Sequence, residues 1–182
     1  AELFPIASMG WDPAEGDLMH ERPRNLKEHI LNRANIWDLA WSGALIGTFG
    51  YLNYLLYFIR HDLNAQNFDK ATVAYATATT LTYVTICLCQ FGNIMMRRVK
   101  PGHKLLTPYL WSNKKLFGAF GISITLMMLL IYAPFIQPYF GTAGLHLIDW
   151  ATALVAAILF VTIRQSVFRF RARNNEKALA TS

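Results

Sequence analysis

Four apolar stretches, each long enough to cross a lipid bilayer, constrain this chain more than any other feature. They run over 39–59, 71–96, 115–132 and 145–163. A hydrocarbon core takes about 20 apolar residues of helix. Within lipid no water satisfies backbone N–H and C=O groups, so each span is expected to be a helix rather than an open strand. The fold class predicted is therefore all-α, a polytopic membrane helix bundle. Composition agrees: 54% of the 182 residues are hydrophobic and 15% charged, against about a quarter charged in soluble domains. The second stretch is the most polar, rich in threonine. Threonine hydroxyls can bond back to carbonyls of their own helix, which makes them tolerable in a span.

The basic residues predict orientation. Of 17 Lys and Arg, all but Arg60 and Lys70 fall on one side of the four spans. They cluster before the first span (Arg22, Arg24, Lys27, Arg33), between the second and third (Arg97, Arg98, Lys100, Lys104, Lys114, Lys115), and after the fourth (Arg164, Arg169, Arg171, Arg173, Lys177). The positive-inside rule then places these segments, and the C-terminus, in the cytoplasm. The net charge of +6 is accounted for as topogenic charge facing anionic lipid, and nucleic-acid binding is not expected. Trp37, Trp41, Trp111 and Trp150 fall at span ends, as interfacial aromatic anchors do. Residues 1–11 are apolar apart from Glu2 and too short to span. They are expected to be the cytoplasmic half of a further helix, a short re-entrant segment being the alternative.

Several polar residues stand out. A carboxylate at membrane depth is costly, which makes Glu2 a functional candidate. Ionised carboxylates are strong ligands for hard cations. Pro5 lacks an N–H and frees a carbonyl one turn earlier, so Glu2 and freed backbone oxygens together suggest a cation site. Gln90 and Asn93, three apart, share a helix face that continues through Thr79, Thr82, Tyr83 and Ile86. Their amides offer neutral oxygens to a cation or, equally, interhelical hydrogen bonds. Cys87 and Cys89 sit about 200° apart on a helix and are expected to pack rather than bind metal. The five histidines have no ligand spacing. Gly43, Gly47 and Gly50 form a small-residue face, fit for close helix packing within the chain or for an accessory subunit.

The run ELFPIASMGWDPAEGDLMHERPR, from Glu2 to Arg24, carries a resemblance. It is similar to the sixth transmembrane helix and following loop of type-II P-type cation ATPases, the class of the calcium and sodium–potassium pumps. The shared elements, in order, are Glu2, Pro5, Asp12-Pro13-Ala14-Glu15, Asp17-Leu18-Met19 and Arg22-Pro23-Arg24. Further on, QFGNIMMRR (Gln90 to Arg98) resembles the inner half of helix eight. Asn113-Lys114-Lys115 resembles the start of helix nine, and IYAPFIQPYFGTAGLHLIDW the external connection from nine to ten. By this resemblance the whole of 1–182 is the pump's C-terminal transmembrane domain, with half of helix six over 1–11 and helices seven to ten in the four spans.

The resemblance implies roles. Glu2 stands where the family has a central cation ligand, usually Asp, and Gln90 and Asn93 face the cation pocket. The loop with Asp12, Glu15, Asp17, Arg22 and Arg24 would couple the membrane helices to the phosphorylation domain, with Pro5 shaping the helix above it. Mg and ATP are expected for the full-length pump. Partners are the lipid bilayer, the remainder of the ATPase chain, and an accessory subunit at Gly43, Gly47 and Gly50. The D-K-T-G phosphorylation motif does not occur in these 182 residues, nor do counterparts of helices four and five, so ATP hydrolysis is not expected of this segment by itself. With Glu2 the one carboxylate at depth, the ion is a monovalent cation, or its other carboxylates come from elsewhere. The alternative function is a stand-alone four-span scaffold or regulatory subunit without enzymatic activity.

Overall fold

The computed structural model describes residues 3–12, 33–61, 73–98 and 111–180. Every regular element among them is helical. A short α1 (Leu3–Ser8) runs into a 3-10 turn (Met9–Trp11). The long helices are α2 (Arg33–Arg60), α3 (Val73–Arg98), α4 (Lys114–Tyr132) and α6 (Leu147–Ala180), with a one-turn α5 (Gln137–Phe140) between the last two. At 1.5 Å per residue the shortest of the four, α4, is roughly 28 Å long and α6 roughly 51 Å. α4 and the Leu147–Phe170 part of α6 are long and apolar enough to cross a membrane. α2 and α3 are as long but carry more polar residues.

The threonines of α3 bond to their own helix. Thr77, Thr79, Thr80, Thr82 and Thr85 each donate to a carbonyl one turn back, at 2.6–3.0 Å. Each hydroxyl is thereby satisfied without water.

α3 is the central helix. It packs extensively on α2 and α6, which also touch each other, while α4 packs on α1 and more lightly on α3. At Gly92 α3 and α6 pack closely: a Cβ there would lie 2.6 Å from Val161 Cγ2. Three apolar clusters fill the bundle. Toward one end, Leu81, Val84 and Cys87 meet Tyr57, Phe58, Met127 and Ala153. Cys89 instead meets Ile46 and Phe160. The two thiols therefore pack into different clusters, as two residues about 200° apart on a helix must. Near the other end Phe91 and Ile94 meet Leu116 and Phe120. The outer faces of α4 (Ile122, Leu126, Leu129) and α6 (Leu154, Val155, Ile158) are apolar and exposed, a surface suited to lipid and not to water.

The α4–α6 connection is tied down. Gly141 caps α5 at φ 62°, the left-handed region that glycine adopts without strain. Thr142 donates to Leu130 O at 2.7 Å, and the Ala143 N–H donates to Thr80 Oγ1 at 3.1 Å. Trp150 Nε1–H donates to Tyr132 Oη, which donates in turn to Leu145 O. Asp149 is fully buried. It pairs with Arg60 of α2 and accepts the His146 N–H at 2.9 Å, so one carboxylate caps α6 and joins it to α2.

Candidate functional site

The stripe expected along α3 is present. Thr79, Thr82, Tyr83, Ile86, Gln90 and Asn93 are all half-buried, while Ala78, Leu81, Val84, Thr85 and Cys89 are buried. Two cavities open beside its upper part. One of about 320 Å³ lies between α2 and α3, lined by Gly47, Tyr51, Tyr54, Thr79 and Thr82. The other, about 350 Å³, lies toward α4 and is lined by Thr79, Thr80, Tyr83, Leu130 and the Phe140–Thr142 turn.

At the lower end of the stripe the two amides belong to a chain of polar contacts. Asn93 Nδ2 donates to Gln90 Oε1 at 3.3 Å. Arg164 of α6 donates from Nη2 to Asn93 Oδ1 at 3.5 Å. The same guanidinium holds Asp38 of α2 with both terminal nitrogens, at 2.9 and 3.3 Å. Arg97 approaches Asp38 from α3 at 3.6 Å. Arg164 is 2% exposed and lies over the Phe168 ring at 4.8 Å. Three helices thus meet on one carboxylate.

A second knot ties the C-terminal end of α1. Asp12 accepts from Arg98 Nε at 2.9 and 3.1 Å and from Asn113 Nδ2 at 2.6 Å. Asn113 also donates to Ser8 O at 3.1 Å, and its Oδ1 accepts the Leu116 N–H at 3.0 Å, capping α4. Ser8 Oγ donates to Pro5 O at 2.7 Å. Pro5, Ser8, Arg98 and Asn113 are buried. Lys115 lies 4.8 Å over the Trp11 ring. Asp12 thus joins α1 to the end of α3 and the start of α4.

These knots revise the reading of the basic residues. Arg98 and Arg164 do not face lipid headgroups; both are buried and paired with Asp12 and Asp38. A guanidinium at this depth needs an acceptor, because a buried unpaired charge is far costlier than a paired one. Beyond the fourth apolar stretch α6 continues unbroken to Ala180.

Of the candidate site residues, Pro5, Asp12, Gln90 and Asn93 are placed as above. Glu2, Glu15, Asp17, Arg22 and Arg24 lie outside the described residues. Among the described residues no three His, Cys, Asp or Glu side chains converge as metal ligands. Of the glycine face, Gly50 packs against Ile86 and Thr82 of α3, whereas a methyl added at Gly43 or Gly47 would meet nothing within 4 Å. Asn113 enters the sequence reading only as part of the resemblance at the start of helix nine, and Asp38 and Asp149 do not stand out in it. Their one signal is position, a polar residue at the edge of an apolar run.

Residues 1–170 match a family model described as cation transporting ATPase, C-terminus. The chain belongs to this family. Among its relatives is a calcium-transporting ATPase of Bacillus subtilis (strain 168), 32% identical over 147 residues, which cover 81% of this chain and 15% of that protein. The calcium-transporting ATPase 1 of Bacillus cereus is 22% identical over 173 residues, 91% of this chain and 19% of its own length. The endoplasmic reticulum calcium ATPase srcA of Aspergillus fumigatus is 21% identical over 180 residues, 88% and 18%. The chain therefore spans less than a fifth of the relatives it matches. The all-α bundle is thus a membrane-embedded domain of the cation-transporting P-type ATPases.

Proposed function

We propose that this chain is the C-terminal membrane part of an ATP-driven calcium pump. The observation that carries this reading is the family match over 1–170, joined to relatives whose names specify calcium transport. In this reading 1–182 is one transmembrane domain. The spans 39–59, 71–96, 115–132 and 145–163 cross the bilayer, 1–11 is the inner half of a further helix, and both the charged knots and the C-terminus lie on the cytoplasmic side.

Glu2 is the principal cation ligand this chain contributes, three positions before the buried Pro5 in the sequence. Calcium prefers six to eight oxygens, several of them carboxylate, so the remaining acidic ligands come from other helices of the pump. Gln90 and Asn93 line the path on the adjacent face of α3. Asp12, Glu15, Asp17, Arg22 and Arg24 belong to the inner segment that transmits movement between the cytoplasmic domains and α1. Phosphorylation with Mg and ATP takes place in those domains, and the membrane helices answer by changing the affinity and exposure of the cation site. The open Gly43–Gly47 face of α2 is available to a further helix, either of the pump or of an accessory subunit.

The test is Glu2→Gln in the complete pump. The substitution keeps shape and removes charge, so half-maximal calcium for ATP hydrolysis should rise by at least tenfold, while hydrolysis without calcium stays at its wild-type background. An unchanged calcium dependence would remove Glu2 from the ligand set.

A further inference from the structure

We propose that Arg164 is a resident cation of the Gln90–Asn93 amide pair, holding the Asn93 oxygen directly and the Gln90 oxygen through Asn93, and competing with a transported cation for them. This rests on the calcium-pump reading above and adds a specificity-determining residue to it.

The polarity of the contacts is forced. A guanidinium has N–H donors and no acceptor, so Asn93 must turn its oxygen toward Arg164 Nη2. The Asn93 amide hydrogens then face Gln90, whose Oε1 accepts one at 3.3 Å. Both amide oxygens are thereby engaged. In this arrangement the pair presents a fixed positive charge instead of two open carbonyls.

Among the described residues the charge is only partly compensated. Arg97 and Arg164 both lean on Asp38. Arg164 Nε–H has no acceptor among the described residues although it is buried. A second cation within several ångströms of this guanidinium meets repulsion worth roughly tenfold in affinity or more at an effective dielectric near 20.

The geometry also supplies a way out. The hydrogen bond to Asn93 is the longest of those Arg164 makes among the described residues, at 3.5 Å, while those to Asp38 are 2.9 and 3.3 Å and the Phe168 ring lies beneath the guanidinium. Giving up Asn93 would leave Arg164 still paired with Asp38. A cation entering the stripe can therefore displace Arg164 from Asn93 without stranding a buried charge.

The experiment is performed on the complete pump, comparing calcium-dependent ATP hydrolysis of wild type, Arg164→Gln and Arg164→Lys. Arg164→Gln should lower the half-maximal calcium concentration about tenfold. Arg164→Lys keeps the charge and should shift it less than threefold. No shift in Arg164→Gln, or equal shifts in the two variants, would overturn the proposal. If Arg164→Gln does not accumulate in the membrane, wild-type protein decides. Phenylglyoxal labelling of Arg164, read by peptide mass spectrometry, should increase when calcium is bound, and labelling indifferent to calcium would overturn the idea. A wild-type pump with no calcium-dependent hydrolysis would instead remove the calcium-pump reading, and this proposal with it.

Discussion

Asp149 shows how much one side chain carries in this bundle. Its carboxylate is fully buried, pairs with Arg60 and caps α6 through the His146 N–H. Asp149→Ala should destabilise the protein by about 1–3 kcal/mol, below the usual figure for breaking a buried pair because Arg60 is 30% exposed and can rehydrate. Thermal unfolding in detergent checks this as a lowered Tm. Asn53 offers a milder test. Its amide donates to Thr85 Oγ1 at 2.8 Å between α2 and α3, and Asn53→Leu should cost about 0.6–1.7 kcal/mol, the range for hydrogen bonds between membrane helices. A larger loss would mean that the pair does more than join two helices. At this scale the sequence is only partly legible. The Gln90–Asn93 face can be read from spacing because both residues lie on one helix. The partners of Arg164 and Arg98 cannot, because Asp38 and Asp12 are 126 and 86 positions away and no local pattern encodes such pairing.

Between elements, the close approach of α3 and α6 at Gly92 sets the next prediction. Val161 is β-branched and stiff at χ1, so its methyl cannot swing away from an added Cβ 2.6 Å distant. Gly92→Ala should separate the helices and cost about 1–3 kcal/mol, whereas Gly47→Ala, with open space around it, should leave the Tm of the detergent-solubilised protein within a degree or two. A comparable loss at both positions would contradict this packing. The knot of Asp12 with Arg98 and Asn113 calls for a double-mutant cycle. Asp12→Asn and Arg98→Gln should each be destabilising, and the double variant less so than their sum, with a coupling of about 0.5–3 kcal/mol. Additive losses would deny the contact. Apolar run length is enough to announce each long helix, since a span needs about 20 residues whatever surrounds it. It cannot announce the continuation of α6 to Ala180, where the sequence turns basic and polar and hydropathy no longer distinguishes helix from tail.

For the whole molecule, the bundle explains why a chain with 54% hydrophobic residues also keeps buried charges. The apolar girdle of α4 and α6 meets lipid, the polar stripe of α3 stays inside, and the ion pairs fasten the ends. In the proposed pump this is a scaffold against which α1, anchored through Asp12, is held and moved. An antibody to the C-terminal tail should detect a native polypeptide several times larger than 20.7 kDa, consistent with relatives of which this chain matches 15–19%. The central claim is tested most directly by calcium uptake into sealed membrane vesicles containing the complete protein. ATP with Mg should drive accumulation of radioactive calcium that a calcium ionophore releases, and Glu2→Gln should abolish it at low micromolar calcium. Vesicles with the protein present and correctly inserted that take up no calcium on addition of ATP would contradict the account.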